Sequence, residues 1–392
     1  MEECPLNTKQ TDRTYVAHTY ARFPVEIVSG RGSEVFDETG KRYIDLTSGI
    51  GVDAFGVADP EWIAAVTAQL GKVQHISNLF YTAPAANLAQ LLCERTGMKR
   101  VFFSNSGAEA NECAIKAARK YAAQTKGADT YTILTLEKSF HGRTLATLSA
   151  TGQDKYHAQF QPLLPGFIHT PANDLAALKA AAETHKLAAV MMECVQGEGG
   201  VTALNPDFVQ GAAAFCREHD ILLIIDEVQT GNGRTGTLYA YQQFGVEPDL
   251  VTTAKGLGGG LPLGACLFGE KVQDVFQPGD HGSTYGGSPT ACAGAISILS
   301  RIDEKLLADV REKSAYLFET FSGAEGIESV SGLGLMIGLK TVKPAPDILA
   351  EARERGVLAL TAKEKIRLLP ALNIPMELLK EAAEVLKDCC KL

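Results

Sequence analysis

Tryptophan occurs once in 392 residues, at Trp62, and none of the nine cysteines falls in a CxxC pair. The cysteine count is odd, and most of them (Cys93, Cys113, Cys194, Cys216, Cys266 and Cys292) lie in apolar segments. That pattern fits neither a disulfide frame nor a zinc site, and it points to a reducing cytosol. The eight histidines are scattered without ligand spacing, so no metal is expected. Basic residues are in deficit. Lys and Arg number 37 against 46 Asp and Glu, a formal net charge of -9 that works against a nucleic-acid partner. Small anionic substrates stay open, because local arginines can dominate a cleft. No apolar run approaches the ~20 residues of a membrane span. The opening Met1-Glu2-Glu3-Cys4-Pro5 has neither the basic region nor the apolar stretch of a signal peptide. A cytoplasmic chain with no membrane partner is the expectation.

What is present is an ordinary globular balance, 45% hydrophobic and 21% charged, in a chain long enough for two or three domains. Residues 1–20 read as an arm, and 25–47 as short strands with a turn at Glu38-Thr39-Gly40-Lys41. From about residue 60, helical segments (60–71, 84–96, 107–124, 174–184, 206–219) alternate with apolar strands (100–104, 131–136, 187–194, 221–226, 249–254, 264–268). This alternation predicts an α/β fold with a large, mostly parallel sheet covered by helices. After Pro289 a helical pattern runs to about 320, followed by a smaller α+β unit with 328–340 and 366–369 strand-like and 346–355 and 376–388 helical. The expected division is 1–60 (arm and part of a small domain), 61–288 (large domain) and 289–392 (connecting helix and small domain).

Two of the apolar strands end in opposite charges. Ile221-Leu222-Leu223-Ile224-Ile225 runs into Asp226, and Asp249-Leu250-Val251-Thr252-Thr253-Ala254 runs into Lys255, which Gly256-Leu257-Gly258-Gly259-Gly260 follows. The carboxyl ends of neighbouring strands are where open α/β sheets bind ligands. An amine and a carboxylate there suit a pyridoxal phosphate site: Lys255 would hold the cofactor as a Schiff base, and Asp226 would keep its ring nitrogen protonated. Gln229, three residues beyond Asp226, is placed to donate to the phenolic oxygen. Ser104-Asn105-Ser106-Gly107-Ala108 follows a strand and opens a helix, an arrangement that presents free N–H groups to a phosphate, although ordinary N-capping would use the same residues. In Phe140-His141-Gly142-Arg143 the aromatic could stack on a flat ring and the guanidinium could fork onto a carboxylate; a core Phe and a surface Arg are the bland alternative. The loop His281-Gly282-Ser283-Thr284-Tyr285 offers hydroxyls to an anion. Gly231-Asn232-Gly233-Arg234-Thr235-Gly236 matches GxGxxG, but Asp-Glu-Val-Gln-Thr separates it from the strand and no helix opens within it, so a dinucleotide site is not expected.

Taken together with Ser77-Asn78-Leu79-Phe80-Tyr81, Ala150-Thr151-Gly152-Gln153-Asp154-Lys155-Tyr156 and Gln196-Gly197-Glu198-Gly199-Gly200, these motifs resemble the class III pyridoxal-phosphate aminotransferases, and within them the acetylornithine aminotransferases of arginine biosynthesis. The likeness spans Thr19-Tyr20 to Asn373-Ile374. It implies the fold type I architecture, a small domain built from both chain ends, and a homodimer with active sites at the interface. It assigns the cofactor to Ser106, Gly107, Ala108, Phe140, Asp226, Glu227, Val228, Gln229 and Lys255, with Thr284 reaching the partner's cofactor phosphate. It assigns the amine donor and 2-oxoglutarate to Tyr20, Arg143, Glu198, Ser283 and Arg367. Two departures stand out. Val52-Asp53-Ala54-Phe55-Gly56-Val57-Ala58-Asp59-Pro60 replaces the usual Val-Asn-x-Leu-Gly-His-x-His-Pro, and Ile50 stands where ornithine aminotransferases of the class carry tyrosine, which favours an acylated donor.

The implied reaction is ping-pong, N-acetylornithine with 2-oxoglutarate giving N-acetylglutamate 5-semialdehyde and glutamate. Only the second substrate has a carboxylate on its reacting carbon, so an arginine suited to it is left unpaired by the first. The family's pattern implies that Glu198 masks Arg367 in one half-reaction and releases it in the other. Succinylornithine, N-succinyl-diaminopimelate, ornithine and 4-aminobutyrate aminotransferases are the rivals within the class. An aminomutase and an idle binding module are the rivals outside it.

Overall fold

A computed structural model describes residues 7–392; the first residues of the expected arm lie outside that range. The arm contains a helix, Thr8–Tyr15, started by a capping box. Asn7 Oδ1 accepts from the Gln10 amide at 2.9 Å, and Gln10 Oε1 accepts from the Asn7 amide at 3.0 Å.

The large sheet runs, edge to edge, through Arg100–Ser104, Gly264–Phe268, Leu250–Thr253, Leu222–Asp226, Leu187–Met192, Thr132–Leu136 and Phe167–Thr170. Gly264–Phe268 is antiparallel to both its neighbours, and the remaining pairings are parallel. Every residue of Leu187–Met192, Leu222–Asp226, Leu250–Thr253 and Gly264–Phe268 is buried. Strands that are apolar on both faces need helices on both faces. Leu223, Ile225, Val190 and Met192 enter one core. Leu222, Ile224, Ala189 and Met191 enter another, packed on Cys113, Ala114, Ala117 and Ala118 of helix Gly107–Thr125. Ile224 is fully buried, and cutting it to alanine should cost about 2–5 kcal/mol.

Because the strands are parallel, Ser104, Leu136, Met192, Asp226 and Thr253 end on one edge. The antiparallel strand brings Gly264 to the same edge, opposite Ser104. Asp226 pairs in register with Thr252, three residues before Lys255.

Besides a two-stranded pairing of Val195–Gln196 with Thr202–Ala203, the described residues also form two four-stranded sheets. Ile27–Arg31, Glu34–Asp37 and Arg42–Asp45 are joined by Val357–Leu358 from the far end of the chain, and Ile327–Leu333, Met336–Thr341, Lys365–Leu368 and Leu360–Ala362 form the other. The stretch expected as one strand over 328–340 is thus a hairpin, turning at Gly334 (φ 60°). The helical pattern expected to run from Pro289 to about 320 is likewise two helices, Pro289–Arg301 and Glu304–Phe321. Asp303 separates them, its carboxylate accepting from the Leu306 amide at 2.8 Å. No helix among the described residues is long and apolar enough to cross a membrane, and no cluster of His, Cys, Asp or Glu among them could hold a metal.

Candidate active site

Lys255 leaves its strand in a left-handed backbone conformation (φ 45°), which is unfavourable for a residue with a Cβ and costs of order 1–3 kcal/mol. The turn is held from the side. Asn232 Nδ2 donates to Thr253 Oγ1 at 3.0 Å and to the Ala254 carbonyl at 3.2 Å. The lysine lines a cavity of about 460 Å³ at the carboxyl edge of the sheet. Burial pushes its amine pKa down, against the pull of Glu198 and Asp226, toward the nucleophilic neutral form.

Asp226 is 3% exposed and accepts three hydrogen bonds. The Val228 amide donates to Oδ1 at 2.9 Å, and Asn111 Nδ2 and His141 Nδ1 each donate to Oδ2 at 2.8 Å. Such donors offset the water the carboxylate has lost. Glu193 lines the same cavity and accepts from the Phe140 amide at 2.9 Å. Burial first, and the charge of Asp226 second, raise it well above the ordinary carboxyl range.

At the opposite side of the cavity helix Gly107–Thr125 begins. Ser106 caps it, its Oγ accepting from the Glu109 amide at 3.2 Å. The first-turn N–H groups of Gly107 and Ala108 have no partner within the helix and, with the dipole, favour an anion. Gly107 is required for packing: a Cβ there would lie 2.5 Å from Val228 Cγ1. Gly142 is equally constrained, with φ 138° and a would-be Cβ 2.4 Å from Thr147 Oγ1.

The other expected residues are placed as follows. Phe140, Val228, Gln229 and Arg143 line the cavity. Arg143 is exposed at its mouth, its guanidinium 4.5 Å from the Tyr156 ring centroid. Arg367, 3% exposed, forms an ion pair with Glu198 and donates to Gln229 Oε1 at 3.2 Å, while Gln229 Nε2 donates to Glu198 at 3.4 Å. Burial alone would raise the Glu198 pKa, but Arg367 outweighs it and the net direction is down. Ser283 is outside the lining; its Oγ accepts from Nδ2 of Asn105, a lining residue, at 3.2 Å and from the Gly286 amide at 2.9 Å. Thr284 is exposed and outside the lining. Tyr20, 75% exposed, packs on Arg22 away from it. Glu227 faces the other way, accepting from Thr230 Oγ1 at 2.6 Å and the Tyr241 amide at 2.8 Å in the core, where burial raises its pKa to about 7.

The GxGxxG stretch is structural. Gly233 and Gly236 take positive φ, and Arg234, buried between them, donates to the carbonyls of Leu335 and Pro370; burial lowers its pKa to about 10. Its Asn232 is the residue that braces the turn before Lys255. Asn111, His141 and Glu193 are cavity residues to which the sequence assigned no role. Their one local signal is polarity inside apolar surroundings: Asn111 in an alanine-rich helix, Glu193 after Leu187–Met192.

The cavity therefore offers a buried, deprotonation-prone amine, a carboxylate on the neighbouring strand, a glycine-lined anion cradle and an aromatic wall at Phe140. This donor set fits pyridoxal 5′-phosphate. A family model described as "Aminotransferase class-III" matches residues 15–390. The chain is 50% identical over 380 residues to the acetylornithine aminotransferase of Haemophilus ducreyi, covering 96% of this chain and 97% of the relative. Among solved structures, the N-acetylornithine aminotransferase of Stenotrophomonas maltophilia K279a is 37% identical with a TM-score of 0.84, covering 97% of each chain. The ornithine aminotransferase of Toxoplasma gondii ME49 is 32% identical with a TM-score of 0.93, covering 97% of this chain and 93% of its own.

Proposed function

The chain belongs to the class III aminotransferases, enzymes that work with pyridoxal 5′-phosphate, and on that premise we propose that it transfers the δ-amino group of N-acetylornithine to 2-oxoglutarate. The cofactor supplies a carbonyl that takes up an amine and a protonated ring that withdraws electrons from the carbon losing its proton. Lys255 Nζ, which burial pushes toward its neutral form, would take that proton from the substrate carbon and deliver it to the cofactor, acting as base and then acid. Asp226 would pair with the ring nitrogen, Gly107 and Ala108 would hold the phosphate, Phe140 would stack on the ring and Gln229 would donate to the phenolic oxygen. Arg143, at the cavity mouth, grips the carboxylate remote from the reacting carbon in both substrates.

The observation that carries the class of donor, an amine with no carboxylate on its reacting carbon, is the masking of Arg367. Its guanidinium is nearly without water and is already paired with Glu198 and Gln229. A donor with no carboxylate on its reacting carbon leaves this pair intact. 2-Oxoglutarate needs the arginine, and draws it off Glu198. One pocket can thus alternate between unlike substrates without burying a lone charge. The relatives named acetylornithine aminotransferase support the same reading. The test is a half-reaction panel on the purified enzyme comparing kcat/KM for acetylornithine, succinylornithine, ornithine and 4-aminobutyrate. Acetylornithine should lead by at least tenfold; a lead for free ornithine would move the assignment to the activity named for the Toxoplasma neighbour.

We further infer a homodimer. Leu79 (89% exposed), Phe80 (64%), Tyr81 and Tyr285 (64%) form an exposed apolar surface. Asn78 Nδ2 ties this segment to the loop bearing Thr284, donating to the carbonyls of Ser283 at 3.0 Å and Gly286 at 2.9 Å. Burying that surface against a second copy would carry Thr284 toward the partner's cofactor phosphate. Light scattering should give twice the 41.8 kDa chain mass; a monomer at micromolar concentration would refute it. The free cysteines among the described residues fit a cytoplasmic setting.

A further inference from the structure

Asn111 has 1% of its surface exposed, one turn into the helix that opens on the phosphate cradle. A buried amide in an alanine-rich helix is costly unless its polar atoms are matched. Here they are matched by three different elements. Nδ2 donates to Asp226 Oδ2 at 2.8 Å and to the His141 carbonyl at 2.7 Å, and Oδ1 accepts from Thr252 Oγ1 at 2.6 Å. The amide can sit only one way round, because the flipped amide would set its oxygen against a carboxylate and a carbonyl. His141, 2% exposed, is likewise constrained. Its Nδ1 lies 2.8 Å from the same Oδ2, so the proton must be on Nδ1, while Nε2 is buried with no partner among the described residues.

The lone pairs of Asp226 then count out. Oδ2 has two donors, Asn111 and His141, and Oδ1 has one, the Val228 amide. With two in-plane acceptor directions on each oxygen, a single one is left, on Oδ1. Asn111 also fixes the loop carrying Phe140 and Arg143 through the His141 carbonyl, and reaches the Lys255 strand through Thr252. We propose that Asn111 and His141 are positioning residues that saturate Oδ2 of Asp226 and leave Oδ1 as the one acceptor for the ring-nitrogen proton, with Asn111 the joint between the phosphate end and the ring end of the site. This rests on the reading of Asp226 as the ring-nitrogen partner.

The experiment titrates cofactor-stripped full-length protein with pyridoxal 5′-phosphate and with its 1-deaza analogue, which has carbon in place of the ring nitrogen. Wild type should prefer the natural cofactor. Asn111→Leu and His141→Phe, each losing charge-assisted hydrogen bonds to Asp226, should lose roughly 10- to 100-fold in affinity for it and less than about threefold for the analogue. His141→Gln, whose amide can still donate, should recover part of the preference. Equal weakening toward both ligands, or an unchanged preference in both variants, would overturn the proposal. Absence of any preference in wild type would instead remove the Asp226 reading, and this proposal with it. A second measurement needs no variant to fold: ¹⁵N spectra of histidine-labelled wild-type protein should include a buried Nδ1–H neutral or doubly protonated imidazole for His141. An Nε2–H ring there, with Nδ1 bare, would also overturn it.

Discussion

Replacing Glu198 with glutamine keeps the shape of the side chain and removes its charge. Arg367 then stands in a pocket where its side chain is 4% exposed, with Gln229 Oε1 at 3.2 Å and the new amide oxygen as its neutral acceptors. Breaking a buried pair from one side costs about 3–5 kcal/mol. The Glu198 side chain is 25% exposed, so water and the remaining acceptors bring the expected penalty down to about 2 kcal/mol. In the free variant water can reach Arg367, whereas bound acetylornithine expels that water and brings no carboxylate for the guanidinium, so the penalty falls on the occupied site and this half-reaction should slow by roughly 30-fold in kcat/KM. 2-Oxoglutarate brings its own carboxylate to Arg367 and no longer has to displace Glu198, so its half-reaction should stay within about threefold of wild type. Stopped-flow absorbance of the cofactor, each half-reaction started from the matching enzyme form, measures both. Equal losses in the two halves, or a larger loss with 2-oxoglutarate, would refute the masking argument. The pair also has a pH signature. Glu198 is held below the ordinary glutamate range, so its contribution is complete above that range and disappears as pH falls through the lowered pKa.

Three further outcomes are expected. Glu227, buried and raised to about 7, opposes folding as pH climbs from the ordinary glutamate range through 7, so Glu227→Gln should match wild type near pH 4.5 and be more stable by about 3 kcal/mol at pH 8 by denaturant titration; a constant difference across that range would contradict it. Gly107→Ala drives a methyl group into Val228, whose branched side chain cannot swing aside, and should weaken cofactor binding by more than about tenfold in an equilibrium titration, whereas unchanged affinity would mean the cradle lies elsewhere. Arg143→Gln should raise KM for acetylornithine and 2-oxoglutarate alike, by about tenfold or more, with kcat changed much less; an effect on one substrate alone would give Arg143 a different role.

The two charged strand ends that line the cavity, Asp226 and Lys255, were legible because strand burial and strand termination are local properties. An aliphatic run closed by Asp226, and another closed by Lys255 and glycines, announce themselves. Gly107 was legible for the same reason, as a small residue at a strand-to-helix turn. The network behind them was not. Asn111, His141 and Glu193 lie on separate elements, and only the sheet order brings Asn111 beside Thr252 and Asp226. The break at Ile302-Asp303 has neither glycine nor proline. Asp303 was its one signal, as an N-cap three residues before Leu306, and it was hidden inside a continuous helical periodicity. Strand Phe167–Thr170 was too short to stand out, though it completes the sheet edge beside Thr132–Leu136. The GxGxxG stretch misleads in the other direction, since its glycines serve the turns around buried Arg234.

The account depends on Lys255 being the amine that carries the cofactor. Borohydride reduction of the holoenzyme, followed by proteolysis and mass mapping, should put the pyridoxyl mass on the peptide containing Lys255 and on no other. Label on a different lysine, or an unlabelled protein that still transaminates, would contradict it.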